Sequence, residues 1–487
     1  MKARPAFVVY HGGGEFRAGS RRGTKSDESL AERERAGQAV REPNRSIAVL
    51  NALRQPHDRD ILRLAVPALA GLAADPLVSL IDTAFVGQLG RVPLAALGVN
   101  ASIFSMTFVI FNFLAYGTTP RVGRAVGDGD RAAAGRAVVR ALTLALLAGG
   151  AALAVLQGLA RPILRVMGAG PDLMGPALAY LRIRALAGPA VLLITASHGA
   201  FRGYQDTRTP MYVTIGFNVV NASLDPLFIF GLDWGLAGAA AATAIAQWMG
   251  ALAFLGLLLG TRREELGVPL AWPSLRSLVP FLKVGRDLLL RTGSLVGTMT
   301  LATAVAARVG TVAVAAHQVA HQLWLFLALV VDALAVAAQA LVSKHLGADD
   351  PGAARSVSDR LFQWGLAVGV VLGIGFFLLR PVLPAFFTGD PATVAALRDV
   401  YLFVALLQPL NGLVFVGDGI YMGVEAFPYL AKAMIGTALA AAAVLVLVVP
   451  MGWGLTGVWW GIATLMGGRL VTLAVPYLRG RLFGAPE

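Results

Sequence analysis

The sequence predicts an all-α, polytopic membrane protein with twelve transmembrane helices in two six-helix lobes related by pseudo-two-fold symmetry. Three observations lead to this fold class: an apolar composition, about twelve apolar segments of spanning length, and marker residues that repeat at a constant offset. Hydrophobic residues make up 56% of the 487-residue chain and charged residues 14%, with a mean hydropathy of +0.68. That composition is too apolar for an ordinary soluble domain.

Twelve segments reach the length of about 20 apolar residues that a helix needs to cross a bilayer. We predict six in an N-terminal lobe (61–260), at 61–86, 94–117, 137–158, 177–198, 211–231 and 236–259. We predict six more in a C-terminal lobe (281–478), at 281–308, 312–342, 361–379, 394–422, 429–449 and 455–476. A cytoplasmic linker (261–280) joins the lobes. Polar composition predicts a disordered cytoplasmic extension over 1–60, and 479–487 form a cytoplasmic tail.

The basic residues orient the chain. The net charge is +13, and Lys and Arg concentrate in the first 60 residues and in the loops that follow even-numbered spans. Such loops are cytoplasmic by the positive-inside rule, so we expect both termini inside and the protein in the cell inner membrane. Because the charges do not form one interleaved basic face, we expect no nucleic-acid partner.

A repeat divides the spans into two halves. Four pairs of Gly or Pro residues recur at an offset of 220, namely Gly90 and Gly310, Gly127 and Gly347, Pro189 and Pro409, and Gly203 and Gly423. Because each half contains an even number of spans, both halves enter the bilayer in the same orientation. The sequence therefore predicts a pseudo-two-fold axis along the membrane normal and a cavity between two lobes.

Polar side chains in three N-terminal spans define the candidate coupling site. Asp82 lies inside the apolar first span, where a charge costs at least ~2.5 kcal/mol and usually faces a polar cavity. Asn221 and Asp225 share one face of the fifth span, and Thr243 lies in the sixth. From the helical rise, Asp82, Asp225 and Thr243 lie ~6, ~9 and ~12 Å below the outer surface. Two close carboxylates repel each other, so we expect them to hold a proton or a cation.

The second half supplies an internal control. Adding 220 to Asp82 reaches Ala302, and the counterparts of Asn221 and Asp225 fall in the run ALAAAAVLV, which has no ionisable group. The coupling site therefore belongs to the N-terminal half alone.

Four other polar residues are candidates for the substrate cavity: Asp75, Asn218, Gln247 and Asp332. Asp75 precedes Pro76, and its carboxylate could instead bond backbone groups freed at that proline. Two further residues receive structural interpretations. We expect Arg184 to extend toward the outer surface, and Arg291 to form an ordinary i, i+4 ion pair with Asp287.

The sequence gives no support for enzymatic chemistry. Neither GxSxG nor HExxH occurs, and no GxxxxGK[ST] motif binds ATP. The absence of cysteine excludes thiol catalysis and disulfides. His317 and His321 lack a partnering carboxylate, so we predict no metal site, no cofactor and no enzyme.

Several motifs resemble the multidrug and toxic compound extrusion (MATE) family of secondary antiporters. They are LIDTAFVGQLG (80–90), FRGYQDTRTP (201–210) and NVVNASLDPLFIFGL (218–232). GRDLLLR (285–291), LVVDALAVAAQAL (329–341) and GDGIYMG (417–423) are similar to the DinF branch. The resemblance implies that Asp82 and Asp225 are the essential carboxylates, accompanied by Asn221 and Thr243. Two positions depart from the family pattern. Val78 stands where some relatives have a tyrosine, and Gln339 stands where the DinF branch has a glutamate.

We therefore predict a cation-coupled antiporter that exports organic solutes or drugs by alternating access. H⁺ is favoured over Na⁺ because paired carboxylates titrate readily and Val78 adds no oxygen ligand. The expected partners are the lipid bilayer and a small organic substrate, cationic and lipophilic if acidic side chains line the cavity. We expect a monomer. The alternative is a flippase for a lipid-linked precursor, which would need cationic residues in the cavity to bind pyrophosphate.

Overall fold

The computed structural model describes residues 57–387 and 389–483, and within these ranges the chain is helical with no β-strand. Helices dominate because a segment in lipid must satisfy its backbone hydrogen bonds internally. Eleven described helices are long and apolar enough to cross a membrane, and a bent pair makes a twelfth span. The predicted extension up to residue 56 and the last four residues lie outside the described residues.

We number the spans 1 to 12 in chain order. The N-terminal six are Asp58–Gln88, Arg91–Gly127, Arg131–Gly158, the bent pair Pro171–Ala185 and Gly188–Gly203, Arg208–Gly231, and Gly235–Thr261. The C-terminal six are Leu275–Val309, Thr311–Gly347, Pro351–Leu378, Pro391–Gly423, Phe427–Val448 and Gly454–Leu478. Shorter helices are Ala160–Val166, Arg263–Leu266 and Leu383–Phe387. Span 1 begins at Asp58, so residues 58–60 are helical rather than part of a disordered extension.

Span 4 differs from the single helix predicted over 177–198. Its two helices meet at an angle of 46° beside Gly188 and Pro189. Proline lacks a backbone N–H and its ring clashes with the preceding turn, which breaks the helix at this point. The indole Nε1 of Trp248 donates to the Leu186 carbonyl oxygen (3.1 Å), which replaces one hydrogen bond lost at the bend.

The predicted repeat is confirmed by matching contacts in the two halves. Spans 2 and 4 pack together as spans 8 and 10 do, and spans 1 and 5 pack together as spans 7 and 11 do. Individual contacts recur at the offset of 220: a β-carbon at Gly199 would lie 2.7 Å from the Ala115 carbonyl oxygen, and one at Gly419 would lie 2.4 Å from that of Ala335. The same helix packing is therefore built twice.

The two halves meet where spans 2 and 8 cross. A β-carbon at Gly127 would lie 2.0 Å from the Lys344 carbonyl oxygen, and one at Gly347 would lie 1.9 Å from that of Arg124. The offset of 220 exchanges the two contacts, so the pseudo-two-fold axis passes between them. Only glycine permits the backbones to approach this closely.

Further hydrogen bonds join the halves on this side, which the loop charges predict to be cytoplasmic. Asp58 at the start of span 1 accepts two bonds from the Arg360 guanidinium (2.6 and 2.8 Å) and one from the Trp364 indole. The Gln205 amide donates to the Ala340 carbonyl oxygen (2.7 Å). The two halves are thus closed against each other at these ends.

Candidate functional site

A cavity of about 430 Å³ lies inside the N-terminal half, and its wall comes from spans 1, 2, 4, 5 and 6. Most of the predicted site residues line it: Asp75, Asp82, Asn218, Asn221, Thr243 and Gln247. Aromatic side chains of spans 2 and 4, among them Phe104, Phe108 and Tyr180, supply much of the remaining wall. The cavity therefore combines acidic and amide groups with an apolar lining.

Asp82, Asn221 and Asp225 form one hydrogen-bonded group. The Asn221 side-chain nitrogen donates to Asp82 Oδ1 (3.0 Å) and to Asp225 Oδ2 (3.3 Å). Asp82 is half-buried at the cavity wall, whereas Asp225 is fully buried behind it. One amide nitrogen therefore bridges the two carboxyl groups.

Local helix geometry accounts for half of this arrangement. Asn221 and Asp225 are four residues apart on span 5, so their side chains lie one above the other on one face. Span 1 packs along that face and brings Asp82 to the same level. Asp225 Oδ1 and Asn221 Oδ1 are buried, and neither accepts a hydrogen bond from any described residue. The group as it stands is short of donors, which is the condition for taking up a proton or a cation.

Thr243 and Gln247 lie one turn apart on span 6 and face the same cavity. The Thr243 hydroxyl donates to the Ala239 carbonyl oxygen of its own helix (2.9 Å), and within the described part of the chain it forms no hydrogen bond with either carboxylate. Gln247 Oε1 accepts a hydrogen bond from Arg184 Nη1 (2.6 Å). Both residues are in the cavity wall, but among the described residues neither forms a hydrogen bond with Asp82 or Asp225.

Arg184 was predicted wrongly. Instead of extending toward the outer surface, its guanidinium lines the cavity, bonds Gln247 and stands 5.2 Å from the centre of the Phe104 ring. The short helix before the bend in span 4 places Tyr180 and Arg184 one turn apart toward the same space. The cavity therefore contains a fixed cation beside its acidic residues.

Asp75 and Asn218 form a second acid–amide pair two turns from the first. The Asn218 side-chain nitrogen donates to Asp75 Oδ1 (2.7 Å). Asp75 thus bonds a side chain of span 5 rather than backbone groups near Pro76. Because Asp75 and Asp82 are seven residues apart on span 1, both face span 5.

The second-half counterparts of the coupling residues are buried apolar side chains, as the sequence predicts. Ala302, the counterpart of Asp82, is fully buried in the apolar core, and so are Ala441 and Leu445 in the matching stretch of span 11. The second half has no acid–amide group at this position.

Asp332 is not part of this cavity. It lines a second one, about 330 Å³, whose wall combines residues of span 2 with residues of spans 7, 8, 10 and 12. No described group donates a hydrogen bond to its carboxylate, and Trp324 and Phe415 lie in the same wall. The four predicted substrate residues therefore divide between two cavities.

The second cavity contains an ion cluster that sequence reasoning missed. Arg291 Nη2 donates to Asp418 Oδ2 (2.5 Å), and Arg469 donates to the same oxygen. All three side chains are buried. The predicted pair of Arg291 with Asp287 was wrong, since Asp287 binds the neighbouring Arg286 (2.8 Å). Each of the three lies in an apolar span, and this is the signal that could have identified them.

Comparison with known proteins finds similarity in both halves of the chain. A protein-family model described as MatE matches residues 67–227 and 294–453. Protein DETOXIFICATION 44, chloroplastic, from Arabidopsis thaliana is 37% identical over 85% of this chain and 80% of the relative. DNA damage-inducible protein F from Escherichia coli is 28% identical over 87% of this chain and 92% of that protein. Multidrug resistance protein PmpM from Pseudomonas aeruginosa is 28% identical over 75% of this chain and 78% of that protein.

Solved structures share the fold. A crystal structure described as MATE in the bent conformation superposes with a TM-score of 0.80 at 22% identity, covering 88% of this chain and 96% of the other. An outward-facing MATE-family multidrug transporter superposes with a TM-score of 0.79 over the same shares.

Proposed function

The chain belongs to the MATE family, and on that premise we propose that it is an antiporter that exports small organic solutes in exchange for inward H⁺. The observation that carries the proposal is the Asp82–Asn221–Asp225 group, which opens on a cavity, leaves two buried oxygens without a donor among the described residues, and has only apolar counterparts in the second half. Relatives named as multidrug resistance proteins support efflux as the direction of transport.

A proton is the simplest species that completes this group. Bound between the two carboxyl groups, it supplies the missing donor and removes the repulsion between two negative charges in a low-dielectric environment. Asn221 then changes which oxygens it must bond. Because Asp82 belongs to span 1 and Asp225 to span 5, protonation alters how tightly these two helices hold each other.

The donor pattern favours H⁺ over Na⁺. Na⁺ requires several oxygen atoms directed at one point. Here an amide N–H of Asn221 points at both carboxylates, the Thr243 hydroxyl donates to its own helix, and Val78 contributes no ligand. A sodium site would need these groups to rearrange, whereas a proton site would not.

Alternating access supplies the exchange. Spans 2 and 8 close the ends predicted to be cytoplasmic, and the cavities lie on the other side of that contact. Protonation in this state releases the substrate outward, and loss of the proton inside resets the transporter. The cation need only bind the two states with different affinity. The proposed location is the cell inner membrane with both termini cytoplasmic, which is the orientation that the basic loops favour.

The proposed substrate is a small organic molecule with a lipophilic body and a cationic group. Asp332, which accepts no hydrogen bond from the described residues, is the proposed contact for the cation, and the aromatic side chains near it accommodate the body. Arg184, Arg291 and Arg469 make the cavities less acidic than the sequence suggested, so the charge preference rests on Asp332 rather than on net charge.

Efflux from proteoliposomes tests the coupling site. A fluorescent organic cation is loaded, and a pH gradient and a Na⁺ gradient are imposed separately. We expect the pH gradient to drive efflux in the parent and in Asp172→Asn, a matched control at an exposed carboxylate, but not in Asp82→Asn or Asp225→Asn. Normal pH-driven transport by both site variants would overturn the proposal, and efflux driven by Na⁺ alone would assign the site to Na⁺.

The flippase alternative is kept because Arg291 and Arg469 give the second cavity two cationic residues. Both already bond Asp418, which leaves less positive charge for a pyrophosphate. Turnover of a pyrophosphate-linked lipid that persists in Asp82→Asn would favour this alternative.

A further inference from the structure

A groove with one polar and one apolar end runs between span 3, span 6 and the linker that joins the two halves. It consists of two adjoining cavities of about 320 and 380 Å³. Both are lined by Val139, Pro269, Ala271 and Trp272, so they form one continuous space. Neither cavity is lined by a residue of the coupling site.

The apolar end is a slot among leucine and tryptophan side chains. Leu142 and Leu146 of span 3 form one wall, and Leu255 and Leu259 of span 6 form the other. The linker covers it with Trp272, which is 80% exposed. An exposed tryptophan at the end of a membrane span is typical of the interface between lipid headgroups and acyl chains. The slot therefore faces lipid.

The polar end is positively charged. Arg136 and Arg140 lie one turn apart on span 3 and line the smaller cavity together with Ser274 of the linker and Ser277 in the first turn of span 7. Arg140 is half-buried, and no described residue accepts a hydrogen bond from it. None of the described residues that line this cavity is acidic, although Asp130 outside its lining forms an exposed ion pair with Arg136 (3.5 Å).

The spacing of the two ends matches a phospholipid. Arg136 and Leu146 are ten residues apart on one helix, which corresponds to about 15 Å along its axis. The arginines lie toward the end of the span and the leucines toward its middle. A lipid in that leaflet presents its phosphate and its acyl chain in the same order.

We propose that this groove binds an anionic phospholipid, with its phosphate between Arg136 and Arg140 and one acyl chain in the leucine slot. The bound lipid fastens the linker to span 3. The chain's own N-terminal segment is a poor occupant, because residues 1–56 contain eleven basic and six acidic residues and would be repelled by the arginines. Basic pockets at the cytoplasmic ends of membrane helices commonly bind acidic headgroups.

Quenching of tryptophan fluorescence by brominated lipids measures occupancy directly. The full-length protein is titrated in micelles with brominated phosphatidylglycerol or brominated phosphatidylcholine, and Trp272→Phe identifies the signal from the groove. We expect Trp272 to be quenched at a lower fraction of phosphatidylglycerol than of phosphatidylcholine. In Arg136→Gln/Arg140→Gln that preference should fall about 30-fold, from roughly fivefold for each basic residue.

Arg63→Gln is the matched control. Arg63 is an exposed arginine near the start of span 1, as Arg136 is near the start of span 3, and it lines neither cavity. It should keep the lipid preference of the parent. Equal quenching by both lipids in the parent would overturn the proposal, and so would an undiminished preference in the double variant. Inorganic phosphate should not compete with the lipid; full competition would assign the basic end to a soluble anion instead.

Discussion

Adding one methyl group at Gly347 should open the closed side of the protein. A β-carbon there would lie 1.9 Å from the Arg124 carbonyl oxygen and 2.6 Å from its carbonyl carbon. A carbon–oxygen contact needs about 3.3 Å, so Gly347→Ala must separate spans 2 and 8 by about 1.4 Å. The obstacle is backbone, which cannot rotate away as a flexible side chain can.

The strain from Gly347→Ala exists only in the closed conformation, and this determines how far the equilibrium between the closed and separated conformations shifts. Overpacking of this kind costs about 1–3 kcal/mol, and it acts only while the two spans are in contact. The preference of alanine over glycine in helices, about 1 kcal/mol, acts in both conformations and cancels. The population with separated spans should therefore rise roughly 5- to 150-fold.

The absence of cysteine makes this change measurable. Ser343 is fully buried between the two spans, so Ser343→Cys provides a single thiol that reacts with a water-soluble maleimide only when they separate. We expect Gly347→Ala to accelerate labelling in this background. Gly293→Ala, in a helix but facing open space, should leave the rate unchanged. Equal rates in the two variants, with both proteins folded, would refute the reasoning.

Three further substitutions probe polar contacts. Asp58→Asn removes the charge from the bidentate contact with Arg360 and should accelerate the same labelling about 10- to 100-fold, since charged hydrogen bonds contribute about 1.5–3 kcal/mol. An unchanged rate would mean that the contact does not hold the closed state. Burial opposes ionisation of Asp206, but hydrogen bonds from Thr209 and Arg262 outweigh it and hold its pKa below the usual range. The contribution of Asp206 to stability is therefore complete above pH ~3.9 and is lost as the pH falls. We expect the free energy of unfolding of Asp206→Asn to be about 1 kcal/mol lower than that of the parent at pH 7 and equal to it in strong acid. An equal deficit at both pH values would contradict this. Asp418→Asn leaves two buried arginines without a countercharge and should cost about 3–5 kcal/mol in denaturant unfolding, and a cost under 1 kcal/mol would show that the cluster is solvated.

Much of the fold could be predicted because its determinants are local. The length of each apolar run defines a span, and the offset of 220 follows from glycines and prolines that the packing requires. The Asp82–Asn221–Asp225 group was accessible for the same reason. Asn221 and Asp225 must share a helix face, and the helical rise alone places Asp82 at a similar depth.

The second cavity was less accessible because its contacts depend on tertiary packing. Arg291 and Asp418 are 127 residues apart, and nothing along span 7 distinguishes a partner on span 10 from the nearby Asp287. Arg184 was misplaced because the bend in span 4 was not predicted. Pro189 was a visible signal for that bend, since a proline inside a helical pattern usually kinks or ends the helix.

Substrate-driven proton movement tests the central claim most directly. Proteoliposomes with a pH-sensitive dye inside and no initial pH gradient are given a gradient of the transported cation. The account predicts that protons move in the direction opposite to the substrate, so the interior becomes more acidic as substrate leaves. Asp82→Asn and Asp225→Asn should show no such change in internal pH. Substrate flux without proton movement in the parent protein would contradict it.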